Sequence, residues 1–304
     1  MIVVNETKGI DKNLIATVGF FDGVHLGHRF LIDTMCHLGK ERGLCSAVFT
    51  FPVHPRVVLQ ADYQPKLLNS FEEKIAQLAT TKADYCVVLD FTLELAAYSA
   101  YEFIALLANK WQVKVLLVGY DHRFGHNRSE GFEAYVKYGA QLGIEVIHMS
   151  SFETGSGAVS SSKIRQLLAE SKVDEAAELL TYPYRLKGHI ISGHKVGRKL
   201  GFPTANIQVD EPFKVWPGGG VYAVWVYLNG RRYKGMLSIG NRPTFDDANI
   251  TIEVHLLHFS ETIYEEAIEV EFIHFLRENR KFADLDVLKK QLEDDREQVN
   301  KILS

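Results

Sequence analysis

Cysteine is scarce in this chain: 304 residues contain only Cys36, Cys45 and Cys86. An odd count without metal-ligand spacing excludes a disulfide framework and a cysteine-based zinc site, so free buried thiols in a reducing cytoplasm are expected. Long apolar runs are missing as well, none approaching the roughly 18 residues of a membrane helix. Met1 to Lys12 lacks the basic-then-apolar order of a signal peptide. A large excess of charge of either sign is missing too, the net value being −4, which gives no general reason to expect a nucleic acid or a membrane as partner. What is left is an ordinary globular composition, 46% hydrophobic and 24% charged, in a chain long enough for two domains.

Against these absences stands one dense stretch, Gly19-Phe20-Phe21-Asp22-Gly23-Val24-His25-Leu26-Gly27-His28. It follows the apolar run Leu14 to Val18, which reads as a buried strand, and precedes Phe30-Leu31-Ile32, where apolar residues return at helical spacing. Gly23 and Gly27 permit positive φ and close approach of a ligand to the backbone, while the free N–H groups of a helix start favour an anion. His25 and His28, three apart, share a face of any helix that has begun by then. A glycine-bearing strand-to-helix turn is common in itself. Two histidines, two glycines and an aspartate within seven residues move the reading toward function, with phosphate as the natural guest.

The rest of the first half alternates. Arg29 to Arg42 reads as a helix closed by Gly43, and Leu44 to Phe51 as a strand whose following prolines leave His54 and Arg56 in a loop. Ser70-Phe71-Glu72-Glu73 and Ser99-Ala100-Tyr101-Glu102 are capping boxes that open helices. Tyr85 to Phe91, Val113 to Val118 and Glu145 to Met149 are further strands, with a helix over Gly131 to Leu142. Such alternation predicts an α/β domain with a doubly wound parallel sheet and sites at the strands' carboxyl ends. Gly119-Tyr120-Asp121-His122-Arg123-Phe124-Gly125 lies at that edge, offering a carboxylate, a guanidinium and a ring. Ser160-Ser161-Ser162-Lys163-Ile164-Arg165 sits at a helix start and supplies hydroxyls and two cations, a second phosphate cradle.

The pattern His-x-Gly-His after a strand resembles the nucleotidyltransferase superfamily. Together with Thr50-Phe-x-x-His-Pro55, Gly119-Tyr-Asp-x-Arg-Phe-Gly125 and Ser-Ser-Ser-Lys-Ile-Arg165, in that order, it resembles the FMN adenylyltransferase module of prokaryotic bifunctional FAD synthetases. The resemblance implies that His25, His28, Ser161, Ser162 and Arg165 hold ATP phosphates, with Gly19, Phe20, Asp22, Gly23 and Gly27 forming the surrounding turn. It also implies flavin contacts from His54, Asp121, Arg123 and Phe124. Two positions depart from the family: His122, where an aromatic carbocycle is commoner, and Ser162, where threonine is.

Val173 to Leu180 is the last helical pattern of the first type, and Thr181-Tyr182-Pro183-Tyr184 breaks it. A boundary near Tyr182 gives domains 1–181 and 182–304. Beyond it, Tyr184 to Ser192, Thr204 to Gln208, Gly220 to Leu228, Arg232 to Ile239, Thr251 to His258 and Ile268 to Phe275 read as short strands, with a tight hairpin at Asn229-Gly230. The amphipathic segment Asp284 to Leu303 closes the chain. A six-stranded antiparallel β-barrel with a covering helix is expected.

Three groups here carry possible chemistry. Gly193 to Gly201 has glycines every four residues with basic side chains between, suited to wrapping a polyphosphate, though it is not a Walker A sequence. Thr204 and Asn206 are i and i+2 on an extended segment, so a hydroxyl and an amide oxygen share a face and can coordinate Mg²⁺. If Glu253 faces the barrel mouth, His255 shares its face and the carboxylate can take a proton from an attacking hydroxyl; an outward-facing, solvated glutamate is the alternative.

The run ending Gly-Phe-Pro-Thr-Ala-Asn206, followed by Gly220-Val-Tyr222, Pro243-Thr-Phe245, Glu253-x-His255 and Arg277-x-x-x-Lys-Phe282, resembles the riboflavin kinase module. It implies Thr204 and Asn206 as ligands of Mg·ATP, Glu253 as the base, and Gly193, Lys195, Gly197, Gly201 and Pro203 as phosphate contacts. Arg277 falls on the flavin side of that assignment. His258 stands where the family commonly has an acidic residue. Both resemblances imply a bifunctional enzyme that phosphorylates riboflavin to FMN and adenylylates FMN to FAD, with ATP as co-substrate, Mg²⁺ as cofactor, and His25, His28, Arg165 and Glu253 as its catalytic residues. The sequence leaves a homo-oligomer open. A transferase for another acceptor and a flavin-binding regulator without turnover are the rivals.

Overall fold

Six strands, the central ones buried along nearly their whole length, make up the first sheet: β1 (Ile2–Asn5), β2 (Leu14–Val18), β3 (Cys45–Thr50), β4 (Tyr85–Val88), β5 (Val113–Val118) and β6 (Glu145–His148). The computed structural model describes residues 1–60, 62–120, 122–126, 130–155, 157–192, 200–241, 250–261, 263 and 265–304. By its contacts the chain divides into two units, Met1–Ser161 and Ser162–Ser304.

In the first unit the six strands form one parallel sheet ordered β1-β4-β3-β2-β5-β6. The two-residue period of β2 sends Leu14, Ala16 and Val18 to a core shared with α5 (Ala100–Trp111) and α6 (Phe132–Leu142). Ile15 goes to the opposite core with α1 (Leu26–Arg42) and α3 (Phe71–Ala79). Helices therefore cover both faces, the doubly wound arrangement expected. From β2 the chain winds out through β3 and β4 on one side and returns to β5 and β6 on the other. The order reverses between β2 and β5, and ligands of such sheets collect outside the strand ends there.

Both capping boxes form: Ser70 and Glu73 open α3, and Ser99 and Glu102 open α5. Three features differ from the sequence reading. His54 and Arg56 lie in no loop, since Pro55 at the first position and the His54 ring at the N-cap start a short helix, α2 (Pro55–Leu59). A second short helix, α4 (Leu93–Ala97), is capped by Thr92. Strand β1 was not anticipated because it lies at the sheet edge and buries only Val4. A two-stranded ladder, β7 (Glu153–Thr154) with β8 (Gly157–Ala158), completes the unit.

The second unit opens with α7 (Ser161–Ala169) and α8 (Val173–Leu180), the latter packed on β9 (Tyr184–Ile191) and β14 (Ala267–Arg277). With β10 (Ala205–Val209), β11 (Gly220–Leu228), β12 (Arg231–Asn241) and β13 (Ile250–Leu256), these close a barrel in the order β10-β13-β12-β11-β14-β9, antiparallel throughout. Asn229 and Gly230 both have positive φ, 49° and 73°, as a two-residue hairpin turn between β11 and β12 requires. Helix α9 (Leu285–Ile302), capped by Asp284, covers Phe202, Ala223, Met236 and Leu257 with Val299 and Leu303.

Candidate active sites

The turn from β2 into α1 is buried from Gly19 to His25 except at Phe20, which is half-buried. Phe21, Gly23 and Val24 all have positive φ, 55°, 82° and 38°. Holding two side-chain-bearing residues there costs of order 1–3 kcal/mol each, so the surroundings must fix the turn. Asp22 does this: its Oδ1 accepts the backbone N–H groups of Leu68 and Asn69 at 2.9 and 3.2 Å, and its carbonyl accepts Ser161 Oγ at 2.9 Å. At Gly27 an added Cβ would meet the Val159 carbonyl and the His25 ring at 3.3 Å.

His25 is the N-cap of α1, its Nδ1 accepting the N–H of His28 at 3.4 Å. Their rings stack with centroids 3.7 Å apart. Burial, reinforced by the charges of His25, Lys74 and His122, holds the His28 imidazole well below the usual histidine range. Its Nδ1 is buried with no hydrogen-bond partner among the described residues. No acidic residue occupies the first turn of α1, so its amide dipoles stay open to an anion. His54 joins the same place, its ring edge-on to Phe20 with centroids 4.8 Å apart.

Beyond β5 the expectations divide. His122 lies close enough to His28 to act on its charge. Phe124 is stacked on Tyr135 at 4.2 Å and packed against Phe103, and its backbone N–H and carbonyl are both bonded to Tyr135 Oη. Those contacts anchor the loop around the half-buried Phe124 ring. Arg123 is exposed, and Asp121 lies outside the described residues. In α7, Arg165 Nη2 donates to Ser162 Oγ at 3.3 Å.

Lys74 is a residue the sequence reading missed. It stands on the buried stripe of α3 with Leu78, only 2% exposed. Its Nζ donates to the Phe51 carbonyl at 2.6 Å and lies 3.8 Å from the centroid of the Phe20 ring. Burial lowers its pKa to about 8, against the partial compensation of Asp22 and Cys86. A charge at Phe71, Lys74, Leu78 spacing was the available signal, because lysine seldom occupies a core-facing position unless paired.

In the barrel, Asn206 of β10 pairs directly with Glu253 of β13, and Glu253 pairs on its other side with Ser238 of β12. Directly opposed residues share a face, so three strands present an amide, a carboxylate and a hydroxyl side by side. Ile252, Val254 and Leu256, all buried, fill the barrel interior. Glu253 therefore lies on the outer face of β13, the two-residue period deciding it. Thr204 Oγ1 donates to Glu253 Oε2 at 3.1 Å.

His255, on the same face, bonds the Pro203 carbonyl through Nδ1 at 2.7 Å. A carbonyl only accepts, so Nδ1 carries the proton. Proline has no N–H to give the β10–β13 ladder, and this side-chain bond extends the pairing to the residue before Thr204. Burial lowers the pKa of His255, the Pro203 bond opposing and Arg296 assisting. His255→Ala is expected to raise the KM for ATP by about tenfold, the worth of one hydrogen bond of ~1.4 kcal/mol. His255→Asn, which keeps a donor, should recover it in steady-state kinetics.

Arg277 is held within the barrel unit. Its Nε and Nη2 clasp the Asp295 carboxylate of α9 at 2.7–3.1 Å, and its Nη1 donates to the Glu278 carbonyl at 3.1 Å. The guanidinium ties the covering helix to β14. Gly201 is exposed ahead of buried Phe202. Gly193, Lys195, Gly197 and the Pro243-Thr-Phe245 motif lie outside the described residues.

Comparison with known proteins bears on each half. The family described as FAD synthetase matches residues 7–163, and that described as riboflavin kinase matches residues 180–303. A bifunctional riboflavin kinase/FMN adenylyltransferase of Listeria monocytogenes is 38% identical over 96% of this chain and 93% of its own.

The chain belongs to the bifunctional riboflavin kinase/FMN adenylyltransferase family.

An Escherichia coli K12 member of this family is 35% identical over 95% of this chain and 92% of its own. A solved chain described as a macrolide-efflux protein from Streptococcus pneumoniae superposes with a TM-score of 0.88 at 29% identity, covering 99% of both chains. Efflux belongs to that protein's description. Among the described residues here, no helix is long and apolar enough to cross a membrane. The family's reactions are the ATP-dependent phosphorylation of riboflavin to FMN and the transfer of an adenylyl group from ATP to FMN, giving FAD. Riboflavin kinase/FMN adenylyltransferase is thus the enzyme in which the His25–His28 turn and the Thr204–Asn206–Glu253 face are to be understood.

Proposed function

We propose that the two reactions are carried by the two constellations described, adenylyl transfer by the turn and riboflavin phosphorylation by the barrel face. The supporting observation is the register that sets Asn206 opposite Glu253 with Thr204 bonded to it. In the kinase half, the riboflavin 5′-hydroxyl attacks the γ-phosphorus of ATP, Glu253 takes the hydroxyl proton, and ADP leaves. Thr204 and Asn206 offer hard oxygen donors of the kind that suit Mg²⁺ shared with nucleotide phosphates. Bound there, the cation would neutralise charge developing between the β- and γ-phosphates. Gly193, Lys195, Gly197, Gly201 and Pro203 are assigned to the same phosphates.

In the transferase half, a phosphate oxygen of FMN attacks the α-phosphorus of ATP and pyrophosphate leaves. That nucleophile is ionised at neutral pH, so no base is assigned. His25, His28, Ser161, Ser162 and Arg165 are assigned to the ATP phosphates, with Gly19, Phe20, Gly23 and Gly27 shaping the turn. Asp22 keeps the turn in place through the two amides it holds. His54, Asp121 and Arg123 are assigned to the flavin. We place the functional boundary near Tyr182. Three free cysteines fit a reducing cytoplasmic setting.

Chromatography of products from riboflavin, ATP and Mg²⁺ tests this assignment beside an Asn206→Ala variant given FMN. Wild type should yield FMN and then FAD. The variant should lose at least about tenfold in FMN formation yet still convert supplied FMN. Loss of both reactions in the variant would sink the division into two sites.

A further inference from the structure

We propose that Lys74 is a positioning residue of the adenylyl-transfer site, a buried ammonium that orders Phe20 and the end of β3 and sets a fixed positive charge behind the His25–His28 turn. The inference rests on the assignment of adenylyl transfer to that turn.

The geometry places Lys74 there. Phe20 lies two residues past the end of β2 and Phe51 directly follows the end of β3, two neighbouring strands of the sheet. One ammonium binds both, through a 2.6 Å hydrogen bond to the Phe51 carbonyl and a cation–π contact at 3.8 Å with the Phe20 ring. Nζ thus lies at the sheet's carboxyl edge, beside the crevice where the strand order reverses. Helix α3 delivers it rigidly, its N-terminus fixed by the Ser70–Glu73 capping box four residues earlier.

The electrostatics give the placement a purpose. The groups that face Lys74 are Asp22 of the turn, Cys86 of β4 and His28 of α1. Asp22 spends Oδ1 on the amides of Leu68 and Asn69, and burial outweighs its attraction for Lys74. The ammonium is therefore under-compensated in the free protein, a cost that a bound polyphosphate would offset. Its charge also helps to keep the His28 imidazole neutral, so that His28 meets a phosphate as a hydrogen-bonding ring beside a cation supplied by another residue. A staple for Phe20 and Phe51 alone would need the donor and the stem, and would not need the charge to persist.

Lys74→Met and Lys74→Arg separate these roles, assayed as FAD formation from FMN and ATP on either side of pH 8, with riboflavin phosphorylation and thermal unfolding followed in the same preparations. Lys74→Met is expected to lose about 10²-fold in kcat/KM at neutral pH. Wild-type kcat/KM, which reports the free enzyme, should fall as pH rises through about 8, where the ammonium becomes an amine. Lys74→Arg should recover most of the loss, and its profile should lack that fall because a guanidinium keeps its proton throughout. Lys74→Met within about threefold of wild type, or Lys74→Arg retaining the fall near pH 8, would overturn the proposal. If Lys74→Met does not fold, the Lys74→Arg profile decides alone. A wild-type enzyme that makes no FAD would remove the assignment of the turn itself, a result distinct from any behaviour of the variants.

Discussion

Glu253→Gln should lower riboflavin phosphorylation by about 10²–10⁴-fold, the range lost with a general base, while FAD formation from supplied FMN continues unchanged. The substitution is nearly isosteric. Glutamine can still accept the Thr204 hydroxyl that Glu253 Oε2 accepts at 3.1 Å, and the β10–β13 register that sets position 253 opposite Asn206 is a matter of backbone bonds. Only the proton acceptor is removed. Initial rates of FMN formation from riboflavin, with FAD formation from FMN alongside, measure the effect. A loss below about threefold would mean that the hydroxyl needs no base at this position. An equal loss in both reactions would point to unfolding.

Asp295→Ala should destabilise the barrel unit by about 3 kcal/mol, the lower end of what breaking a buried ion pair costs. Asp295 has no exposed surface and holds Arg277 by two of its nitrogens, with Gln291 donating to the same carboxylate at 2.7 Å. Removal leaves a partly buried guanidinium unpaired and loosens α9 over Phe202 and Met236. With an m-value of roughly 2 kcal/mol per molar urea, the midpoint for loss of riboflavin kinase activity should fall by more than about 1 M. The double variant Arg277→Met with Asp295→Leu should regain much of this, because two packed apolar side chains avoid desolvating either charge. Failure of the double variant to recover would show that the pair's geometry, and not its burial, secures the helix.

The large elements were legible in the sequence because their signals are local. Strands β2 and β5 and helix α8 have the boundaries expected from their apolar periodicity. Both capping boxes and the Asn229-Gly230 turn formed as their residue types require. What escaped depends on partners distant in sequence. Arg277 looks like a free cation until Asp295, 18 residues on, is brought against it. Phe124 looks like a free ring until α6 places Tyr135 beneath it. Glu253 was given its correct neighbour His255, but which side of the barrel wall it faces stayed open, since a period of two fixes which residues share a face and not which face is inside. Lys74 carried a visible warning, a charge on an apolar stripe, but only the fold shows what its ammonium reaches.

The position of β1 has a consequence for how the chain comes to be folded. Ile2 pairs in parallel with Tyr85, so β1 must wait for some 80 further residues of synthesis before its neighbour exists. Until then Ile2 and Val3, still 60% and 49% exposed in the finished protein, remain an unpaired apolar segment. The barrel starts under the opposite condition, since β11 and β12 can zip from the Asn229-Gly230 turn as soon as both have emerged. Contacts of long sequence separation form slowly and short-range ones quickly. Within its own half β1 therefore docks only after β4 has emerged, and the interval before that is when a chaperone would find this segment.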